Sequence, residues 1–290
     1  MIKALIETLR PRQWTKNLVI FAGLIFDGQF LQPMPFLRVL AAALLFCLVS
    51  GVTYTINDLL DIEADKLHPQ KRNRPIASGR LSKQMAISVI ITLSVVSLVG
   101  GYLLSPRLAL IFVAYTLLIL AYSLWLKKVM ILDVLVIASG FVLRVLAGLS
   151  VIQVAYFSPW LFVLTTLLSM FLAFGKRLAE LKLLENNAIS HRKALDGYTV
   201  PLLNQYIMVI LTAILITYTL YTFSAHPGQS NYAMMLTIPF VVYGIFRYLY
   251  LIQSDLITSS PEEVLLKDRQ LQIAIGLWGL SVLAILYFIF

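Results

Sequence analysis

Charge is scarce in this chain. Of its 290 residues only 13% are Asp, Glu, Lys or Arg, while 60% are hydrophobic. A soluble domain carries about 25% charged residues, so an ordinary water-soluble globule is excluded. Acidic residues are the scarcer sign, 14 against 23 basic, leaving a formal charge of +9. Cysteine is nearly absent: Cys47 is the single one, which rules out an intrachain disulfide and reads as a small core residue. The three histidines, His68, His191 and His226, show no metal-ligand spacing and take no metal role. A cleavable signal peptide is not expected either. "MIKALIETLRPRQW" is amphipathic and basic, without a short apolar core and cleavage site, and reads as an interfacial segment with Trp14 at headgroup depth.

Long apolar runs are what the chain has instead. A bilayer crossing needs about 20 apolar residues. Runs of that kind fall at 15–32, 37–57, 85–104, 108–126, 129–151, 159–176, 204–224, 232–252 and 271–290. The expectation is therefore an all-α, polytopic membrane protein of nine transmembrane helices, forming a single domain over residues 1–290. Charge placement gives an independent check. With the N-terminus in the cytoplasm, 19 of the 23 basic residues fall in inner segments; Arg38 and Arg107 lie outside, Arg144 and Arg247 within spans. That asymmetry is what the positive-inside rule demands, and it predicts a plasma-membrane protein with its C-terminus outside. The positive charge then reports orientation and phosphate affinity, and no nucleic-acid partner is expected. Two inner loops, 58–84 and 177–203, are long and polar, so the active site is expected on the cytoplasmic side.

The first of these loops opens with "NDLLDIEADKLHPQKRNRP". On a helix turning about 100° per residue, Asn57, Asp58, Asp61 and Asp65 share one face, while Glu63 points away. Three carboxylates so close repel one another unless a cation joins them. Their hard oxygens suit Mg²⁺, which binds through one or two carboxylates plus substrate phosphates. A solvated acidic helix end is the plainer alternative, but solvated faces seldom sort their acids so neatly. The following "KRNRPIASGRLS" sets Lys71, Arg72, Arg74 and Arg80 among Pro75 and Gly79, which bend the chain back over the acidic helix. Forked guanidinium groups bind phosphate oxygens well. An acidic metal face beside an arginine loop is the arrangement that turns a diphosphate into a leaving group.

NDxxDxxxD at the end of the second span, then K-x-x-R-P-[IL]-x-x-G, in a nine-span chain, resembles the UbiA superfamily of intramembrane prenyltransferases. The resemblance covers nearly the whole chain. It implies a UbiA-like helix bundle and gives Asn57, Asp58, Asp61 and Asp65 the positions that bind Mg²⁺ and diphosphate. Members commonly carry a second motif, roughly DxxxD, after the sixth span. Here that region reads "GKRLAELKLLENNAISHRKALDGYT", with no such pair. Lys176, Arg177 and Glu180 fall on one helix face there, a basic surface that suits another phosphate; inner-interface anchoring is the alternative. Around it, "LRPRQWTKN", "LDVLVIASGFVLRVLAG", "FGKRLAEL" and "RKALDGYT" resemble one branch, the decaprenyl-phosphate phosphoribosyltransferases.

That branch resemblance implies transfer of 5-phosphoribose from phosphoribosyl diphosphate to a polyprenyl phosphate, releasing pyrophosphate. Asp58, Asp61 and Asp65 hold the metal on this reading. Lys16, Asn57, Arg72, Arg74, Lys176 and Arg177 meet phosphate, and Tyr198 donates a hydrogen bond. The lipid phosphate attacks the anomeric carbon opposite the leaving group, so inversion and electrostatic catalysis are expected. Two rivals remain on the residues alone: prenyl transfer to an aromatic acceptor such as 4-hydroxybenzoate, and a transporter lined by Asp133 and Arg144. Arg144 either reaches a phosphate or pairs with a carboxylate between helices. Arg247 is expected to snorkel toward the inner surface.

Overall fold

The computed structural model describes residues 2–67, 69, 71–154, 158–186, 197–224, 232–253, 264–265 and 267–288. Within the 177–203 loop, 187–196 lie outside the described residues, and with them Arg192, Lys193 and Asp196; so do His68, His191 and His226. Every regular element among the described residues is helical. The α-helices are α1 (Ile2–Thr8), α2 (Ala22–Phe26), α3 (Pro33–Leu60), α4 (Ile62–Leu67), α5 (Lys83–Leu104), α6 (Pro106–Leu124), α7 (Leu132–Leu149), α8 (Pro159–Asn186), α9 (Val200–Ser224), α10 (Ile238–Gln253) and α11 (Arg269–Phe288).

Among the described residues eight helical stretches are long and apolar enough to cross a membrane, and they coincide with the last eight expected spans. Their starts are written locally. α3, α6 and α8 each begin on a proline, whose missing N–H is no loss in a first turn. α5 is capped by Ser82, whose hydroxyl accepts from the Met85 N–H at 3.2 Å. Along α5, Ile87, Ile91, Val95, Val99 and Leu103 form an exposed apolar row at four-residue spacing. Such a row is costly in water and neutral in lipid, which is why the helix needs a bilayer.

The segment read as the first span, 15–32, takes a different form. It is a 3₁₀ helix over Pro11–Phe21, followed by the short α2 and a turn with Gly28 at φ +71°. The polar "TKN" lies within it. A 3₁₀ helix eclipses residues three apart, so Asn17 and Ile20 turn inward together. Asn17 is buried and donates to Cys47 Sγ on α3 at 3.2 Å. The segment also lies directly against α7: a Cβ at Gly148 would sit 2.0 Å from the Ile20 carbonyl oxygen.

The chain divides into two compact units, Met1–Leu126 with Gly140–Tyr156, and Lys127–Ser139 with Phe157–Phe290. The first has a core of Ile20, Leu24, Val39, Phe46, Leu108 and Phe112. A small satellite of Ile62, Ile76, Leu81 and Ala86 packs the polar 58–84 loop onto the helix ends. The second unit is cored by Phe171, Phe174, Leu203, Ile207 and Tyr248, with Val134 from the start of α7.

Candidate active site

In the first unit α3 delivers the acidic strip. Asp58 lies in its last turn, and Asp61 closes it, with its N–H on the Asn57 carbonyl at 3.0 Å. α4 then continues the acidic register, the Asp65 N–H reaching the Asp61 carbonyl at 2.8 Å. Asn57 donates to Asp61 Oδ2 at 3.2 Å. Asp58 and Asp65 are each only 2% exposed, whereas Glu63 is exposed and paired with Lys66. A buried carboxylate must find a partner. Both find the same one: Arg74 Nη1 lies 3.1 Å from Asp58 Oδ1 and 2.7 Å from Asp65 Oδ2.

Arg74 is brought there by the loop. A 3₁₀ turn over Lys71–Asn73 leads into it, the Leu81 N–H closes back on the Pro75 carbonyl at 2.9 Å, and Gly79 supplies φ +76°. Only glycine takes that φ without a Cβ clash. Lys71 Nζ stands 4.0 Å from Asp65 Oδ1. Arg72 is exposed and pairs with no carboxylate among the described residues. Lys16 is half-buried on the Pro11–Phe21 helix.

In the sequence Arg10 is one of the inner positive charges and has no site role, yet it is a direct partner of the strip. Its Nη2 donates to Asp58 Oδ1, and its guanidinium lies 5.0 Å from the Tyr54 ring centroid. Arg10 holds a left-handed backbone, φ 52° and ψ 62°, immediately before Pro11. Glu7 on α1 forks to Arg80 at 2.8 and 3.0 Å, tying the N-terminal arm to the 71–81 loop. The Arg80 hydrogen bond holds the Glu7 carboxyl below its usual range. The only sequence signal for Arg10 was its place in "LRPRQWTKN"; a partner 48 residues away leaves no local pattern.

Among the described residues no three His, Cys, Asp or Glu side chains form a group that could hold a metal ion. Guanidinium groups stand among these carboxylates. The donor set nonetheless fits Mg²⁺: hard oxygens, two of the carboxylates buried, and already converging on one cationic nitrogen at Arg74. One or two carboxylates are what Mg²⁺ takes from protein when phosphates complete its shell.

The other predicted residues belong to the second unit. Arg177, on α8, is 6% exposed; its Nε donates to Asp133 Oδ2 at 2.9 Å and its Nη1 to Glu180 Oε2 at 2.9 Å. Tyr198 donates to Asp133 Oδ1 at 3.0 Å and accepts the Ile131 N–H at 2.8 Å. Burial pushes the Tyr198 hydroxyl up to about 12, so it stays a donor at any physiological pH. Ile131 sits at φ +68°, a strained conformation for a β-branched residue, held by that bond to Tyr198. Lys176 points the other way and is exposed, pairing with no described carboxylate. The structure therefore separates Lys176 from Arg177.

A sequence model of the UbiA prenyltransferase family matches residues 18–260. A decaprenyl-phosphate phosphoribosyltransferase of Mycolicibacterium smegmatis is 36% identical over 306 residues, covering 99% of this chain and 94% of the relative. Its counterpart in Mycobacterium tuberculosis (strain H37Rv) is 32% identical over 286 residues, covering 96% and 92%. That of Corynebacterium glutamicum is 32% identical over 290 residues, covering 98% and 86%. Among solved structures, a UbiA homolog from Archaeoglobus fulgidus bound to GPP and Mg²⁺ superposes with a TM-score of 0.71. It is 18% identical and covers 98% of this chain and 99% of its own, a likeness of fold.

Proposed function

The chain belongs to the UbiA prenyltransferase family, and within it we propose transfer of 5-phosphoribose from phosphoribosyl diphosphate to a polyprenyl phosphate of decaprenyl type, with release of pyrophosphate. The observation that carries this reading is the 36% identity to a decaprenyl-phosphate phosphoribosyltransferase over 99% of the chain. The chemistry of the first unit supports it. Mg²⁺ at Asp58, Asp61 and Asp65, with Asn57, would neutralise the diphosphate and make it a better leaving group. Support for a divalent metal comes from the Archaeoglobus homolog, bound to GPP and Mg²⁺.

Arg72 and Arg74 then orient phosphate oxygens on the loop, and Lys16 reaches them from the Pro11–Phe21 helix. The lipid phosphate is already an anion, so no strong base has to create the nucleophile. Orientation and charge complementarity supply the rate. Lys176 is proposed as a phosphate partner. Arg177 and Tyr198 enter through Asp133, which both of them bond; their part is to fix the loop and the α8 end that present Lys176.

We read residues 1–290 as one UbiA-like membrane domain, since the family match runs from 18 to 260. Nine crossings are proposed, the first made by Pro11–Phe26. Its 3₁₀ part rises about 2.0 Å per residue and α2 about 1.5 Å, together about 30 Å, the thickness of a hydrocarbon core. That count places the acidic strip and the N-terminus in the cytoplasm and the C-terminus outside.

Purified enzyme given radiolabelled phosphoribosyl diphosphate, a polyprenyl phosphate and Mg²⁺ is expected to make a labelled, lipid-extractable product, and none without Mg²⁺. If instead no label enters lipid while a prenyl diphosphate and 4-hydroxybenzoate yield prenylated acid, the phosphoribosyl reading is wrong.

A further inference from the structure

The carboxylates that the metal needs are engaged, and the groups that engage them are themselves phosphate binders. Arg74 Nη1 bridges Asp58 and Asp65, and Arg10 donates to the same Asp58 oxygen. With Asp61 of the same strip and Lys71, whose Nζ is 4.0 Å from Asp65, three negative and three positive charges balance here. Asp58 and Asp65 are 2% exposed, with little water to fall back on, while the Arg10 and Arg74 side chains are 26% and 25% exposed. The acids are fixed on helix ends; the guanidinium groups have room to turn.

A divalent cation arriving alone adds charge to a balanced, poorly hydrated cluster and meets the arginines. A diphosphate arriving alone meets two buried carboxylates. Arriving together their charges largely cancel. Each guanidinium can then trade a carboxylate oxygen for a phosphate oxygen and keep its charge-assisted hydrogen bonds.

We infer that Arg10 and Arg74 form an exchangeable pair, holding Asp58 and Asp65 in the free protein and turning to the diphosphate as it binds with the metal. Arg10 thereby becomes a donor-binding residue. Metal and diphosphate become strongly coupled ligands, each binding poorly without the other. This rests on the proposed function only for the metal and the diphosphate, and not on which group the diphosphate carries.

The test is equilibrium dialysis of Mn²⁺ against the full-length protein in detergent, with and without inorganic pyrophosphate, corrected for soluble Mn²⁺–pyrophosphate. Wild-type protein is expected to bind Mn²⁺ weakly alone and about tenfold tighter or more with pyrophosphate, the scale of one charge-assisted hydrogen bond. Arg74→Gln should bind Mn²⁺ alone more tightly than wild type and lose most of the pyrophosphate effect. Arg10→Gln should move the same way by less. Arg74→Lys keeps the charge without the fork and should fall between, and it serves if Arg74→Gln melts below the assay temperature. Mn²⁺ binding indifferent to pyrophosphate, or no gain in Mn²⁺ affinity on removing the Arg74 charge, overturns the exchange. The metal assignment is judged separately: if Asp58→Asn abolishes Mn²⁺ binding in both conditions, it stands even when the exchange fails. No binding to wild type in either condition removes both.

Discussion

Arg144 carries its charge at 5% exposure, and no carboxylate among the described residues pairs with it. Its Nε donates to Asn17 Oδ1, its Nη1 to the Gly140 carbonyl and its Nη2 to the Tyr115 hydroxyl, each at 2.8 Å. The rings of Phe46, Tyr115 and Phe141 lie 4.9–5.3 Å from the guanidinium carbon. Oriented neutral dipoles and ring faces thus solvate the cation, and they do so in place of water. Arg144→Ala would leave the Asn17 and Tyr115 oxygens without their donor, at about 1–3 kcal/mol each. The melting temperature in detergent should then fall by at least about 4 °C, the scale for such losses in a chain of this size. Arg144→Lys cannot supply three divergent N–H groups and should recover only part of it. A melting curve unchanged by Arg144→Ala would mean the network contributes nothing. At Asp58 the expectation is chemical. Asp58→Asn should cut turnover at saturating Mg²⁺ by at least about tenfold, since one carboxylate less leaves the leaving group's charge exposed. A variant keeping more than half the parent rate while still folded would take Asp58 out of the mechanism.

At the scale of elements, the contact between the Pro11–Phe21 helix and α7 is the least forgiving. A Cβ on Gly148 would meet the Ile20 carbonyl oxygen at 2.0 Å, and backbone cannot step aside as a side chain can. At Gly23 the obstruction is Leu149 Cδ2 at 2.4 Å, the end of a side chain that can rotate away. Nothing lies within 4 Å of a Cβ on Gly276. Gly148→Ala should therefore destabilise most, Gly23→Ala less, and Gly276→Ala should stabilise slightly, because alanine favours the helix by about 1 kcal/mol over glycine. Melting the three variants side by side gives the order. Gly148→Ala should also lower activity, since the segment it displaces carries Lys16 and follows directly on Arg10. An order with Gly148→Ala at or above Gly276→Ala would contradict the packing.

For the whole molecule the open quantity is the number of crossings, and its parity decides on which side each end lies. If Pro11–Phe26 spans the bilayer, Lys3 and Leu31 face opposite sides; Leu31 is 71% exposed and open to reagent. Cys47→Ser, which keeps an acceptor for Asn17, gives a background for single cysteines. In intact cells an impermeant thiol reagent should label Leu31→Cys and spare Lys3→Cys and Ser82→Cys. Labelling Lys3→Cys and Leu31→Cys alike from outside, or sparing both, would leave eight crossings. Sparing both would also put the acidic strip on the outer side, and Ser82→Cys, at the cap of the helix that follows it, should then be labelled.

Eight spans and the shared side of Asp58 and Asp65, which meet at Arg74, were legible in the sequence. An apolar run long enough to cross a bilayer and a spacing of three or four residues are both local, and each describes one helix by itself. The 15–32 run was not legible in this sense: hydropathy reports only that a segment is apolar, not how it winds. Its buried Asn17 accepts from Arg144, 127 residues on, a partner that no local pattern announces. Tertiary structure alone joined Arg10 to Asp58 across 48 residues and Arg177 to Asp133 across 44. Arg177 and Lys176 share a stretch that reads as uniformly basic, yet one is buried between two carboxylates and the other is exposed. A charge in sequence has a sign; whether it meets a partner or water depends on what other parts of the chain bring beside it, and desolvation makes that difference large.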